Sequence, residues 1–204
     1  MACISLSNID EKALNCAEQD NMGGIVPKVL FGYHEDVATW PTIPAPTTSG
    51  GTTTPVAMGD AGKLTTALVM STGKSAFFFD FTDEVGSFSI ALQGDKGNIS
   101  FLYNLTIINK RIRALILGFM NAAKNRKMFF LVQDNNGTWY LMGDARRGAM
   151  LVASDGAQTG TTSTDANQTT LNFQYVSPRA FTYETDSDPM SLLNANTQQQ
   201  QLGG

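Results

Sequence analysis

Apolar and polar residues alternate along Ser87–Gln93: Phe88, Ile90 and Leu92 fall on one face, Ser87, Ser89, Ala91 and Gln93 on the other. The alternation returns over 99–108, where Ile99, Phe101, Tyr103, Leu105 and Ile107 share a face. Ser100, Asn104 and Thr106 lie opposite, interrupted by Leu102 and Ile108. With the turn Gly94-Asp95-Lys96-Gly97 between them, the two segments predict an antiparallel hairpin. The period then changes. Ile112, Leu115, Ile116, Phe119, Met120 and Ala123 recur at helical spacing behind Asn109, a residue suited to an N-cap, so one amphipathic helix is predicted over 109–124. Two apolar runs, 128–133 and 138–142, flank Asp134-Asn135-Asn136-Gly137, and the Asn-Gly step predicts a second hairpin. Further strands are expected at 25–33, at 74–82, at 149–153 and at 169–176. Pro27 places the first of these at a sheet edge or at a strand start.

Between these runs lie stretches that cannot pack. In 41–62, 15 of 22 residues are Pro, Thr, Ser or Gly, and 154–168 is almost as polar. Both are read as long loops, which in a compact domain are usually functional or disordered. The expected layout is an N-terminal arm (1–24), one domain (25–184) and a C-terminal tail (185–204) ordered by a partner, if at all. The expected fold class is mainly β, an antiparallel sandwich or barrel carrying one amphipathic α-helix and long loops.

Composition narrows the function. A chain of 204 residues suits one domain, and 42% hydrophobic residues suffice for a core. Charged residues are sparse at 16%, and the net charge of −4 argues against a general nucleic-acid binder. No signal-peptide pattern opens the chain and no apolar run approaches about 20 residues, so a start in a cytoplasm and no membrane partner are expected. Cys3 and Cys16 lack metal-ligand spacing and read as plain thiols. The sequons at Asn98, Asn104, Asn136 and Asn167 are read as chance matches. His34, the only histidine, has no placed nucleophile and is expected to face solvent in a turn. GDAGK at 59–63 lacks phosphate-loop spacing, and pairs such as Asp83 and Glu84 are common in solvated turns. No catalytic residue, metal site or cofactor is nominated, and the chain is not read as an enzyme.

Two features remain. Eight cations fall between Lys110 and Arg147 against two carboxylates, which makes that segment +6 and leaves −10 for the rest. A solvated helix side explains such a run most simply. Yet Lys110, Arg111 and Arg113 would stand at the helix N-terminus, where cations oppose the macrodipole by a few tenths to about 1 kcal/mol each. They are therefore proposed, with Arg146 and Arg147, to meet acidic groups of a neighbouring subunit: Asp10 and Glu11 of the arm, or Glu184 and Asp186 near the tail. The second feature is the uncharged polar hairpin face of Ser87, Ser89, Gln93, Ser100, Asn104 and Thr106. It is either an ordinary solvated sheet face or one that lines a water-filled channel or pairs with copies of itself.

The layout of acidic arm, helix among alternating strands and Thr/Gly/Ser-rich loops resembles the major tail protein, or tail tube protein, of tailed bacteriophages. So does the ending LVQDNNGTWYLMGDARRGAMLVASDG…TTLNFQYVSPRAFTYE, across roughly residues 25–184. The resemblance implies a homo-oligomer: hexameric rings whose inner sheets close into one barrel and stack into a tube, joined to other virion tail proteins. DNA would pass without specific binding, in a virion assembled in a bacterial cytoplasm. The hairpin 87–108 would then supply the lumen face, and 41–62 and 154–168 the inter-subunit loops. Alternatives are a tail terminator, a baseplate ring or a head decoration protein. A nucleic-acid- or glycan-binding β-domain using the basic segment or Trp40, Trp139 and Tyr140 is a further one.

Overall fold

The computed structural model describes residues 4–9 and 21–193. In chain order the described strands are β1 (Ile4–Ser5), β2 (Lys28–Tyr33), β3 (Val37–Thr39), β4 (Thr47–Ser49), β5 (Thr52–Thr54), β6 (Val56–Ala57), β7 (Lys63–Leu64) and β8 (Val69–Met70). They continue with β9 (Phe77–Asp80), β10 (Ser87–Gln93), β11 (Ser100–Lys110), β12 (Met128–Gln133), β13 (Trp139–Met142), β14 (Met150–Gln158), β15 (Gln168–Ser177) and β16 (Thr182–Tyr183). Two α-helices join them, α1 (Met58–Ala61) and α2 (Ala114–Ala123).

Two four-stranded antiparallel sheets carry the fold, ordered β10-β11-β15-β14 and β13-β12-β2-β9. The expected first hairpin forms the edge and second strand of one sheet, in register Ser87↔Thr106 through Gln93↔Ser100. The expected second hairpin, β12–β13, turns at Gly137, whose φ of +90° suits the glycine. Pro27 sits just before the interior strand β2, where it removes no ladder donor.

The sheets face each other across an aromatic core. Phe130 of β12 and Phe173 of β15 have ring centroids 4.4 Å apart, and both are fully buried beside Tyr103, Leu105, Ile107 and Leu171. Each such side chain contributes about 1.5–3 kcal/mol through burial. Helix α2 closes one side with Ile116, Phe119 and Ala123. The second sheet is covered on its other face too. Leu30, Phe129, Leu131 and Leu141 pack under Leu64, Leu68, Phe181 and Tyr183, so β12 is apolar and buried on both sides. Tyr103 joins the two clusters, because its hydroxyl accepts the Phe181 N–H at 2.9 Å.

The structure corrects several boundaries. The helix starts at Ala114 rather than 109, because β11 runs on to Lys110 in ladder with β15 (Asn109↔Thr169, Lys110↔Gln168). Asn109 is therefore a strand residue. Arg111 turns the chain at φ +77°, and its N–H and that of Ile112 are taken by Asn167. Asn125, at φ +59°, ends the helix in the left-handed conformation that Asn tolerates. The stretch 41–62 is structured in part: β4 and β5 form an exposed threonine hairpin, and β6 and α1 follow. Of 154–168, residues up to Gln158 belong to β14 beyond a bulge between Val152 and Gly156. The expected tail begins as packed structure, since Met190, Leu192 and Leu193 lie against the second core cluster. Among the described residues no barrel closes, and the sandwich is open at β10 and β14. His34 does not face solvent. It is half-buried, stacks on Trp40 at 4.7 Å and hydrogen-bonds through Nε2 to the Asp144 carbonyl at 2.6 Å, pinning the β13–β14 turn.

Candidate assembly surface

Side chains alternate along each strand, so covering one face of the sheet β10-β11-β15-β14 leaves the other bare. Its odd-numbered β11 residues (Tyr103, Leu105, Ile107) enter the core, and the even-numbered ones point outward. The register then builds the outward face in rows. Ser87, Thr106, Asn172 and Val152 form one row; Ser89, Asn104, Gln174 and Met150 form the next. Ala91, Leu102 and Val176 form a third, and Gln93 pairs with Ser100 at the hairpin end. All six residues nominated from the sequence thus share one surface.

Two side-chain hydrogen bonds run across it, Gln93 Nε2 to Ser100 Oγ at 3.3 Å and Gln174 Nε2 to Asn104 Oδ1 at 2.9 Å. Between Lys110 at one end and Asp155 in the β14 bulge, no strand position on this face carries a charge. An exposed sheet face normally carries Lys and Glu, so the surface is unusual in being wet and neutral at once. Its two flanking strands, β10 and β14, have no further strand paired to them among the described residues. Each offers a row of backbone N–H and C=O groups for strand addition.

The sequence reading missed half of this surface. Asn172, Gln174 and Val176 alternate with Leu171, Phe173 and Tyr175, and that alternation was visible. What was invisible is that β15 pairs with β11 from about 70 positions away and so continues the hairpin's polar face.

The nominated charged residues do not converge. Lys110, Arg111 and Arg113 are exposed at the β11 end, and none forms an ion pair among the described residues. Only Arg113, at the α2 N-cap, still opposes the helix dipole, because the later helix start leaves Lys110 in the strand and Arg111 in the turn. Arg146 and Arg147 lie on the distant β13–β14 turn, where Asp144 Oδ1 accepts both backbone N–H groups. Glu184 is engaged within the protomer. Lys63 donates to it at 2.8 Å, which holds its carboxyl below the usual range and raises the Lys63 ammonium. Asp186 is exposed, whereas Asp10 and Glu11, like Cys3 and Cys16, lie outside the described residues. The aromatics offered for a ligand-binding module serve packing: Trp40 and Trp139 join the second core cluster, and the Tyr140 hydroxyl donates to Asp134.

Among the described residues no cluster of His, Cys, Asp or Glu could hold a metal ion. No described helix is long and apolar enough to cross a membrane. Comparison with protein-family models, with curated proteins and with solved structures finds no match for the chain.

Proposed function

We propose that this chain is a structural virion protein that assembles into hexameric rings stacked as a phage tail tube, a conduit for DNA delivery. The observation that carries the reading is the neutral outward face of β10-β11-β15-β14, bounded by two strands with open edges. Joining β10 of one protomer to β14 of the next satisfies both edges and turns six four-stranded sheets into one closed wall. Strands spaced about 4.8 Å apart and tilted about 40° would give such a wall of 24 a diameter of roughly 50 Å, enough for duplex DNA. A wall of Ser, Thr, Asn and Gln interspersed with Ala91, Leu102 and Val176, and with a cation only at its Lys110 end, would let phosphates slide past, because it releases few counterions on contact.

Negative-stain electron microscopy across a concentration series tests the reading, with Ser89→Lys and Ala91→Lys as comparators. Both positions are exposed on the β10 edge strand, and lysine there obstructs strand addition. Rings or tubes are expected from the native chain, and monomers of unchanged Tm from the lysine variants. Assemblies that survive both substitutions would remove the β10–β14 seam from the reading. A native chain that stays monomeric at every concentration, with or without a tail initiator, would remove the tube itself.

A further inference from the structure

An apolar groove lies away from the neutral face. Between β9, β2 and α2 runs an open groove of about 470 Å³, with Phe31, Phe77, Phe79 and Phe119 on its floor and Leu115 on its lip. The rings pack tightly, Phe31 to Phe119 at 5.0 Å and Phe79 to Phe119 at 5.3 Å, so the groove is preformed. Its lip is oddly apolar for a solvated surface: Leu115 is 80% exposed and Phe77 43%. Asn109 lines the same groove, and its side-chain Nδ2 is screened from solvent without any acceptor. A screened polar group of that kind is costly until something pairs with it.

The chain carries a segment that fits. Ile4 and Ser5 are held as β1 against β6, and the residues after them run out with Leu6 88% and Ile9 74% exposed. Neither therefore occupies the groove of its own protomer. Two branched aliphatic side chains three residues apart come to one side in a polyproline-type segment about 9 Å long. Such a segment also presents unpaired carbonyls, which an amide donor like Asn109 can satisfy. Charge agrees in direction. Arg113 stands on the groove and Arg111 and Lys110 near it, all exposed, while Asp10 and Glu11 follow Ile9 immediately in the sequence.

We propose that this aromatic groove receives Leu6–Ile9 of a second copy of the chain. The inference rests on the self-association reading above and gives it a specific contact outside the sheet seam. The carboxylates that follow Ile9 in the sequence match in sign Lys110, Arg111 and Arg113, none of which forms an ion pair among the described residues.

Mixed-chain cross-linking tests it. In a full-length background with Cys3→Ser and Cys16→Ser, one chain carries Ile9→Cys and a second, differently tagged, carries Leu115→Cys. Both positions are exposed, so folding is not at stake. Mild oxidation of the mixture should give a mixed disulfide dimer at least tenfold above a control pairing Ile9→Cys with Ser187→Cys. A yield equal to the control overturns the proposal. In parallel, Leu6→Asp with Ile9→Asp should abolish or shorten assemblies seen by electron microscopy while leaving Tm unchanged. Assemblies identical to the native ones would overturn the arm contact and leave the β10–β14 seam standing. If the native chain forms no assemblies, the self-association reading fails separately, and the mixed disulfide alone decides the groove.

Discussion

Tyr103→Phe isolates one hydroxyl and should show itself twice, once at neutral pH and once in alkali. The ring is fully buried and its hydroxyl accepts the Phe181 N–H at 2.9 Å, itself in a buried segment. The substitution keeps the packing and leaves that N–H without an acceptor, which costs about 1–3 kcal/mol. For a domain of this size the expected fall in Tm is roughly 2–12 °C. Burial also pushes the Tyr103 phenol up to about 12. Its proton is held more tightly in the folded state than in the unfolded one, where the phenol titrates near 10. The contribution is therefore complete below about pH 10 and is lost as pH rises from there toward about 12. At pH 11 the native chain should have lost about 1.4 kcal/mol through this group, a loss the phenylalanine variant does not suffer. Urea unfolding followed by the fluorescence of Trp40 and Trp139, at pH 7 and at pH 11, measures both effects. The two proteins should differ at pH 7 and draw together by about 1.4 kcal/mol at pH 11. An unchanged midpoint at pH 7, or a gap that stays constant into alkali, would refute the claim that this hydroxyl joins the two core clusters.

Gly32→Ala would place a Cβ 2.6 Å from Cε1 of the fully buried Phe129 ring, and overpacking of this kind should cost about 1–3 kcal/mol or more in a denaturant midpoint. The Asp165 carboxyl is held down to about 2 by the backbone and hydroxyl groups of Thr162 and Thr161, and so is charged through the mildly acidic range. Its hold on the 159–167 loop should be complete above about pH 4 and lost as pH falls through about 2. Amide exchange at Thr161 and Thr162 reads that loss, and in Asp165→Asn the protection should be weak at every pH. Leu102→Lys places a cation amid the neutral face without touching the core. Stability should change by less than about 0.5 kcal/mol, while DNA passage through a reconstituted tail should slow as phosphates bind the new cation.

What could be read from the sequence was local. The β10–β11 and β12–β13 hairpins follow from alternation and turn glycines a few positions apart, and both stand where expected. The helix start could not be read, because Asn109 and Lys110 satisfy a capping pattern and a strand pattern equally. The ladder to Thr169 and Gln168, a distant partner, decides between them. The same limit hid the full width of the neutral face: Asn172 and Gln174 join Thr106 and Asn104 only through that pairing. The aromatic groove was hidden for a different reason. Phe31, Phe77 and Phe119 come from three separate elements, and each alone reads as ordinary core. His34 looked idle because its partner, the Asp144 carbonyl, is a backbone atom and leaves no mark in residue identity.

Strand β12, covered on both faces, sets a timetable for the nascent chain. Its neighbour β2 is made first, and Tyr33 must wait for Met128, some 95 positions later, before the ladder between them can form. At about 5–20 residues per second a ribosome takes roughly 5–20 s to cover that distance. During that interval β2 gains at most β9 beside it, and Met128–Gln133 then emerges as an uninterrupted apolar run ending in a single glutamine. Pairings this remote also fold slowly, on the millisecond-to-second scale. Because β12 is covered by Phe173, Phe181 and Tyr183, the protomer becomes competent only after nearly all of it has left the ribosome. A cell making many copies at once must keep unfinished chains apart until β12 is sheathed.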